Sequence, residues 1–88
     1  MQNNIARFLD EKGVLVVWPS KHKDKLLVIE YLATKFEYDK IYSEAEVNNI
    51  LKVWHNFSDW AILRRSLVDY GYMKRDFGGY EYKRARVG

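Results

Sequence analysis

Three helices followed by a β-hairpin, an α+β fold around one core, is what the sequence predicts, and three observations predict it. Trp60, Leu63, Leu67 and Tyr70 recur at the three-or-four spacing of a helix period, so their side chains share one buried face. Gly71 then stands where a left-handed residue ends a helix, and residues 73–76 and 80–83 flank Phe77-Gly78-Gly79, whose glycine pair supplies the positive φ angles of a tight hairpin. Upstream, Ser43-Glu44-Ala45-Glu46 has the spacing of a capping box and opens another helix only a short turn before the one at residue 60. Two helices across a turn, then a hairpin, are the outline of a winged helix-turn-helix: a three-helix core, a recognition-type helix and a C-terminal wing. An extra N-terminal helix and a short strand complete it.

Taken in order, residues 4–12 form a short helix with Ile5, Phe8 and Leu9 at helical spacing, broken by Gly13. Residues 14–18 are a β-branched and aromatic run ended by Pro19, read as a strand or extended arm across the core. A polar loop, SKHKDK, leads into a helix over residues 24–36, where Val28, Ile29, Leu32, Ala33 and Phe36 make one stripe. Leu27 and Tyr31 lie off that stripe, four apart, on a second apolar face; residues 5–18 are expected to dock there. Ile41-Tyr42 is a short extended link before the cap at Ser43. Val47, Ile50, Leu51 and Trp54 then follow at i, i+3, i+4 and i+7, and after His55-Asn56-Phe57 either Ser58 or Asp59 caps the next helix. In the hairpin, alternation sets Tyr80 and Tyr82 on the core side and Glu81 and Lys83 toward water. Met73 and Arg75 share one side of the preceding strand, Lys74 and Asp76 the other.

The 88 residues make one domain, 1–88, with residues 1–19 as the packed N-terminal helix and strand and residues 82–88 as a basic tail. A chain of this length buries roughly 60% of its unfolded surface. It is 48% hydrophobic, with three Trp, seven Tyr and no cysteine, so the interior forms without cross-links and a reducing, cytoplasmic location is the natural fit. No apolar run reaches the length of a membrane span, and MQNNIARFLDEKG lacks the apolar core of a signal peptide. No membrane partner is expected.

The net charge of +3 is unevenly placed: residues 1–57 hold eight Lys or Arg against eight Asp or Glu, whereas residues 58–88 hold seven against four. The excess sits on the helix and wing, which favours a polyanionic partner, although a solvated basic tail gives the same count without function. Arg64 and Arg65 are the candidate groove residues, because guanidinium groups clamp phosphates or the O6/N7 edge of guanine. The competing reading is a surface ion pair between Arg65 and Asp69, four residues apart. Lys21, Lys23 and Lys25, at the start of the central helix, are phosphate candidates against a plain solvated loop. Lys74, Lys83 and Arg84 are the wing candidates.

Chemistry of other kinds is not legible. His22 and His55 are far apart and no cysteine accompanies them, so no metal site is expected. No nucleophile with a base, no paired acid and base and no phosphate-cradling loop is visible, so neither an enzyme nor a cofactor is expected.

The run Trp18-Pro19-Ser20-Lys21, the segment YSEAEVN at residues 42–48, Asp59, and Leu63-Arg64-Arg65-Ser66-Leu67-Val68-Asp69-Tyr70-Gly71, with Arg75 and Tyr82-Lys83-Arg84, carry a resemblance over nearly the whole chain. The sequence resembles a family of small bacterial domains of unknown function found alone or at the end of transcriptional regulators. That resemblance implies a winged-helix-like fold and a tie to transcription control. The expected function is therefore a non-enzymatic DNA-binding domain of a transcription regulator, with double-stranded DNA as partner. The alternative is a protein-protein interaction or dimerisation module of such a regulator, using Trp60, Ile62 or the N-terminal segment to bind a second copy or a regulator protein without touching DNA.

Overall fold

The computed structural model describes residues 5–78 and 80–86. It is an α+β domain whose elements run α1 (His22–Ala33), β1 (Ile41–Ser43), α2 (Glu44–Trp54), α3 (Trp60–Asp69), β2 (Met73–Arg75) and β3 (Glu81–Arg84), preceded by a 3-10 turn at Ile5–Phe8. The strands form an antiparallel sheet in the order β1-β3-β2. β3 is thus the central strand, hydrogen-bonded both to the strand just before it in the chain and to the far earlier β1.

Local chemistry marks each helix end. At α2, Ser43 Oγ accepts from the Glu46 amide at 3.1 Å and Glu46 Oε1 accepts from the Ser43 amide at 2.8 Å, a complete capping box. At α3 the cap is Asp59, whose Oδ1 accepts from the Ile62 amide. Its far end closes in a Schellman arrangement: the Gly71 amide donates to Val68 and the Tyr72 amide to Leu67, and Gly71 takes φ +85°. No atom lies within 4 Å of where a Cβ on Gly71 would sit, so the backbone angle, not space, selects glycine there.

The core gathers Val28, Ile29, Leu32, Ala33 and Phe36 from α1 and its C-terminal turn, Val47 and Leu51 from α2, Leu63 and Leu67 from α3, and Tyr42, Met73 and Tyr82 from the sheet, all buried. The stripe expected on the central helix is the buried one. The helix itself begins two residues earlier than residue 24 and ends at Ala33, leaving Phe36 to fold back through a turn in which its amide donates to Ala33.

Four expectations are corrected. The N-terminal helix shortens to one 3-10 turn, because Asp10 Oδ1 takes the amides of Lys12 and Val14 and bends the chain out of helix before Gly13, at φ +84°; Asn4 lies outside the described residues. Of the two readings of residues 14–18, strand or extended arm, the strand is not formed and the arm is, with Leu15 fully buried. Leu15 alone makes isolated bridges: to Leu9, where the Asp10 amide donates to the Val14 carbonyl and the Val16 amide to the Phe8 carbonyl, and to His55, where its own amide donates to the Trp54 carbonyl and its carbonyl accepts from Asn56. Ile41-Tyr42, read as a link, belongs to β1 and pairs with β3 (Tyr42 opposite Tyr82). Tyr80 does not face the core: it precedes β3, is 77% exposed, and its ring lies across Gly78, where a Cβ would come within 2.8 Å of it.

The N-terminal segment does dock on the second face of α1. The Tyr31 hydroxyl donates to the Gly13 carbonyl at 2.7 Å, and Arg7 pairs with buried Asp24 at 2.8 Å in the first turn of α1, where a carboxylate also complements the helix dipole. Leu15 is fully buried and Phe8 nearly so.

Leu15→Ala is therefore expected to lower stability by about 2–5 kcal/mol in urea unfolding. The exposed Val17→Ala should stay within about 0.5 kcal/mol. A pH effect follows from Tyr72, whose phenol is raised above its ordinary 10.0 by burial first and by the Glu30 charge second. The fold favours the neutral phenol, so its contribution is complete below pH 10.0 and is lost as pH rises through the raised value. Alkaline unfolding of Tyr72→Phe, which cannot ionise, should show a shallower loss over that range.

Candidate functional site

The expected contact residues fall into groups that the fold treats differently. Arg64, on the side of α3 that faces α2, is half-buried. Its Nη1 donates to Asn48 Oδ1 at 2.5 Å and its Nη2 lies 3.9 Å from Glu44 Oε2. Asn48 and Glu44 are one helical turn apart on α2, and the Glu44 carboxylate also accepts from the Tyr82 hydroxyl at 3.3 Å. One carboxylate thus ties α2 to both α3 and β3.

Arg84 is likewise held. Its Nη1 donates to the Phe36 carbonyl at 3.1 Å and its guanidinium lies 4.0 Å over the Tyr38 ring; Arg86 covers the same ring at 4.3 Å and pairs with Asp39 at 2.8 Å. Lys25 is half-buried with its ammonium 5.5 Å over Trp18. Lys21 and Lys23 are exposed, Lys21 being the N-cap residue of α1 without a side-chain cap bond. His22 between them meets the Tyr70 ring edge-on at 5.5 Å, which sets the start of α1 beside the end of α3.

Arg65, Lys74 and Lys83 remain exposed, and none makes an ion pair among the described residues. Arg65 and Asp69, four apart on α3, do not pair with each other. Lys74 and Lys83 are directly opposite in the β2–β3 register, with Ile41 beyond Lys83 on β1, so a row of two cations and an exposed apolar side chain crosses the outer face of the sheet. Like charges so placed repel in the absence of an anion.

Arg75 pairs in register with Tyr82, on the face turned toward the helices. Together with Arg64, Arg65, Val68 and Asp69 of α3, these two residues line a groove of about 320 Å³ between α3 and the hairpin. Arg75 was not among the expected contacts. Strand alternation already set it on the side of Met73, opposite Lys74, and only the packing of α3 against that side turns it into a groove residue.

Tyr80 and Phe77 are exposed at the hairpin turn, which Asp76 braces: its Oδ1 accepts from the Tyr80 amide at 2.7 Å and the Glu81 amide at 3.1 Å. Trp60 and Ile62, the side chains of the interaction-module reading, are half-buried against the core, and Lys52 lies 4.3 Å over the Trp60 ring. Among the described residues no group of three or more His, Asp or Glu side chains is placed to hold a metal ion, and no helix is long and apolar enough to cross a membrane.

The two neighbouring arginines are expected to separate cleanly in thermal unfolding. Arg64→Ala leaves Asn48 and Glu44 without their partner and should cost about 1–3 kcal/mol, whereas Arg65→Ala should stay within about 0.5 kcal/mol.

No curated protein and no solved structure gives a significant match to the chain. A family model does, over residues 14–84, a span that holds all three α-helices and all three strands and leaves out the 3-10 turn. The chain belongs to the family DUF2087, an uncharacterized protein conserved in bacteria.

Proposed function

We propose that the domain is a winged-helix DNA-binding module serving transcription control, acting by binding and without catalysis. The order helix, strand, helix, helix, strand, strand with a β1-β3-β2 sheet supports this reading, since it sets two helices across a turn directly ahead of a hairpin. In that arrangement α3 is the helix offered to the major groove, and the β2–β3 hairpin is the wing beside it.

One observation carries the reading: the exposed cations of α3 and the hairpin have no ion-pair partners among the described residues, while the other arginines are engaged. Arg65, Lys74 and Lys83 are free of ion pairs among the described residues, whereas Arg7, Arg64 and Arg86 each lie against a carboxylate and Arg84 against a carbonyl and an aromatic ring. Lys74 and Lys83 moreover face each other, an arrangement that a phosphate row relieves. Lys21 and Lys23 extend the basic surface at the start of α1, next to the end of α3. Arg64 and Arg84, which the sequence alone groups with the contacts, act as positioning residues for α3 and β3, and Lys25 shields Trp18.

The test is binding to random-sequence duplex DNA across a salt series. Affinity should fall steeply with salt, and reversing both Lys74 and Lys83 to Glu should weaken binding about equally for all sequences and flatten the slope by roughly 0.9 for each phosphate no longer neutralised. Unfolding midpoints should be about unchanged, because two glutamates directly opposite each other repel as the two lysines do. Wild-type protein that fails to bind duplex DNA at low salt, or a double reversal with undiminished affinity, would sink this reading of the hairpin.

A further inference from the structure

We propose that the groove between α3 and the β2–β3 hairpin is a phosphate-binding site, with Arg65 and Arg75 as its donors and Arg64, held by Asn48 and Glu44, as the positioning residue in its wall. Resting on the DNA-binding reading, the inference assigns the bound phosphate to the duplex backbone. The same chemistry also suits a free phosphorylated ligand.

The groove brings together three guanidinium groups from two elements, two from α3 and one from β2. Arg64 is immobilised by Asn48 and Glu44, and the Glu44 carboxylate simultaneously accepts from Tyr82, a wall of the groove. That network fixes the helix side and the strand side of the groove relative to each other. Arg65 and Arg75 carry no ion pair among the described residues, although Asp69 lines the same groove. Guanidinium groups lining an open concave surface without an ion-pair partner suit the multi-oxygen face of a phosphate.

The sheet register separates this site from the lysine row. Arg75 stands opposite Tyr82 on the helix-facing side, and Lys74, the preceding residue, stands opposite Lys83 on the outer side. Lys74 is no part of the groove lining, although Arg75 also borders a second hollow with Lys74, Lys83 and Ile41. Only the groove is flanked by arginines from a second element. Asp69 opposes the anion and holds down the net positive charge of the groove, so the site is tuned by a carboxylate as well as by its arginines.

The experiment compares Arg75→Gln and Arg65→Gln with Lys74→Gln, which removes the same charge from the same hairpin outside the groove, in binding to duplex DNA and in titrations with inorganic phosphate followed by amide NMR shifts of residues 64–69 and 73–82. Each arginine variant should weaken duplex binding about tenfold, the effect of losing a hydrogen bond between charged groups, and more than Lys74→Gln does. Phosphate alone should shift groove amides in the wild type, and these shifts should be lost in Arg75→Gln. Asp69→Asn should tighten both ligands. Equal losses for Arg75→Gln and Lys74→Gln, no phosphate shifts at the groove, or no tightening by Asp69→Asn overturns the inference while leaving DNA binding through the lysine row intact. Phosphate binding at the groove in a protein that does not bind duplex DNA supports the site and rejects the DNA reading, placing a free phosphorylated ligand there instead.

Discussion

His55 is the pivot on which the arrangement of the helices depends. Its Nδ1 lies 2.5 Å from the Leu51 carbonyl, an acceptor freed at the end of α2, and its Nε2 accepts the Asp59 amide at 3.0 Å, so the ring carries its proton on Nδ1. A single neutral imidazole thereby closes one helix and positions the residue that caps the next. The Phe57 ring packs against it at 4.7 Å, and Leu15 brackets it through the backbone on either side, donating to Trp54 and accepting from Asn56. Without that bracket the turn at residues 55–59, which contains Ser58 at φ 59°, would have no second layer to hold its angle. The N-terminal segment is thus part of what aims α3, not an appendage.

From that pivot the second constraint follows. α3 leaves the turn at a set angle and lies across α2, where Arg64 reaches Asn48 and Glu44, and Glu44 in turn takes the Tyr82 hydroxyl of the central strand. Glu44 also stands in the first turn of α2, where its charge complements the helix dipole. Few groups do more for the geometry. Helix, turn, second helix and hairpin form one closed circuit of polar contacts around an apolar interior, with no buried side-chain nitrogen or oxygen left without a partner among the described residues.

What the sequence made legible is what local chemistry decides. The capping box at Ser43 and Glu46, the cap at Asp59, the glycine at 71 and the buried stripe on α1 are each specified by a few neighbouring residues, and each is found in place. The failures lie where a distant partner decides. Val14 to Trp18 have strand-like side chains, yet only Leu15 finds bridge partners, since no neighbouring strand runs alongside. Tyr42 and Ile41 became a strand because β3, far later in the chain, pairs with them. Tyr80 has the alternation of a core residue but precedes the point where pairing begins. The same limit governs the candidate site: that Arg64 is consumed by α2 and Arg84 by Phe36 and Tyr38 depends on tertiary neighbours no spacing rule contains.

The division of labour among the basic residues then has a geometric cause. A β-strand presents successive side chains to opposite faces, so a two-sided hairpin cannot give all its cations to one surface. Here the residue turned inward is arginine, whose rigid fork suits a walled groove, and the residues turned outward are lysines, point charges on flexible stems that suit an open phosphate row. The helix side repeats the choice: of the two adjacent arginines on α3, a turn of roughly 100° per residue gives Arg64 to α2 and Arg65 to the open side. Lys74 and Arg75 are therefore split by the period of their strand, one to each face of the sheet, whereas Arg64 and Arg65 border the same groove and differ in that only the first is tied to α2. Composition counts both members of a pair as one basic patch. Only the period of the backbone, set by the caps and the pivot at His55, decides which half of the charge is free for a partner.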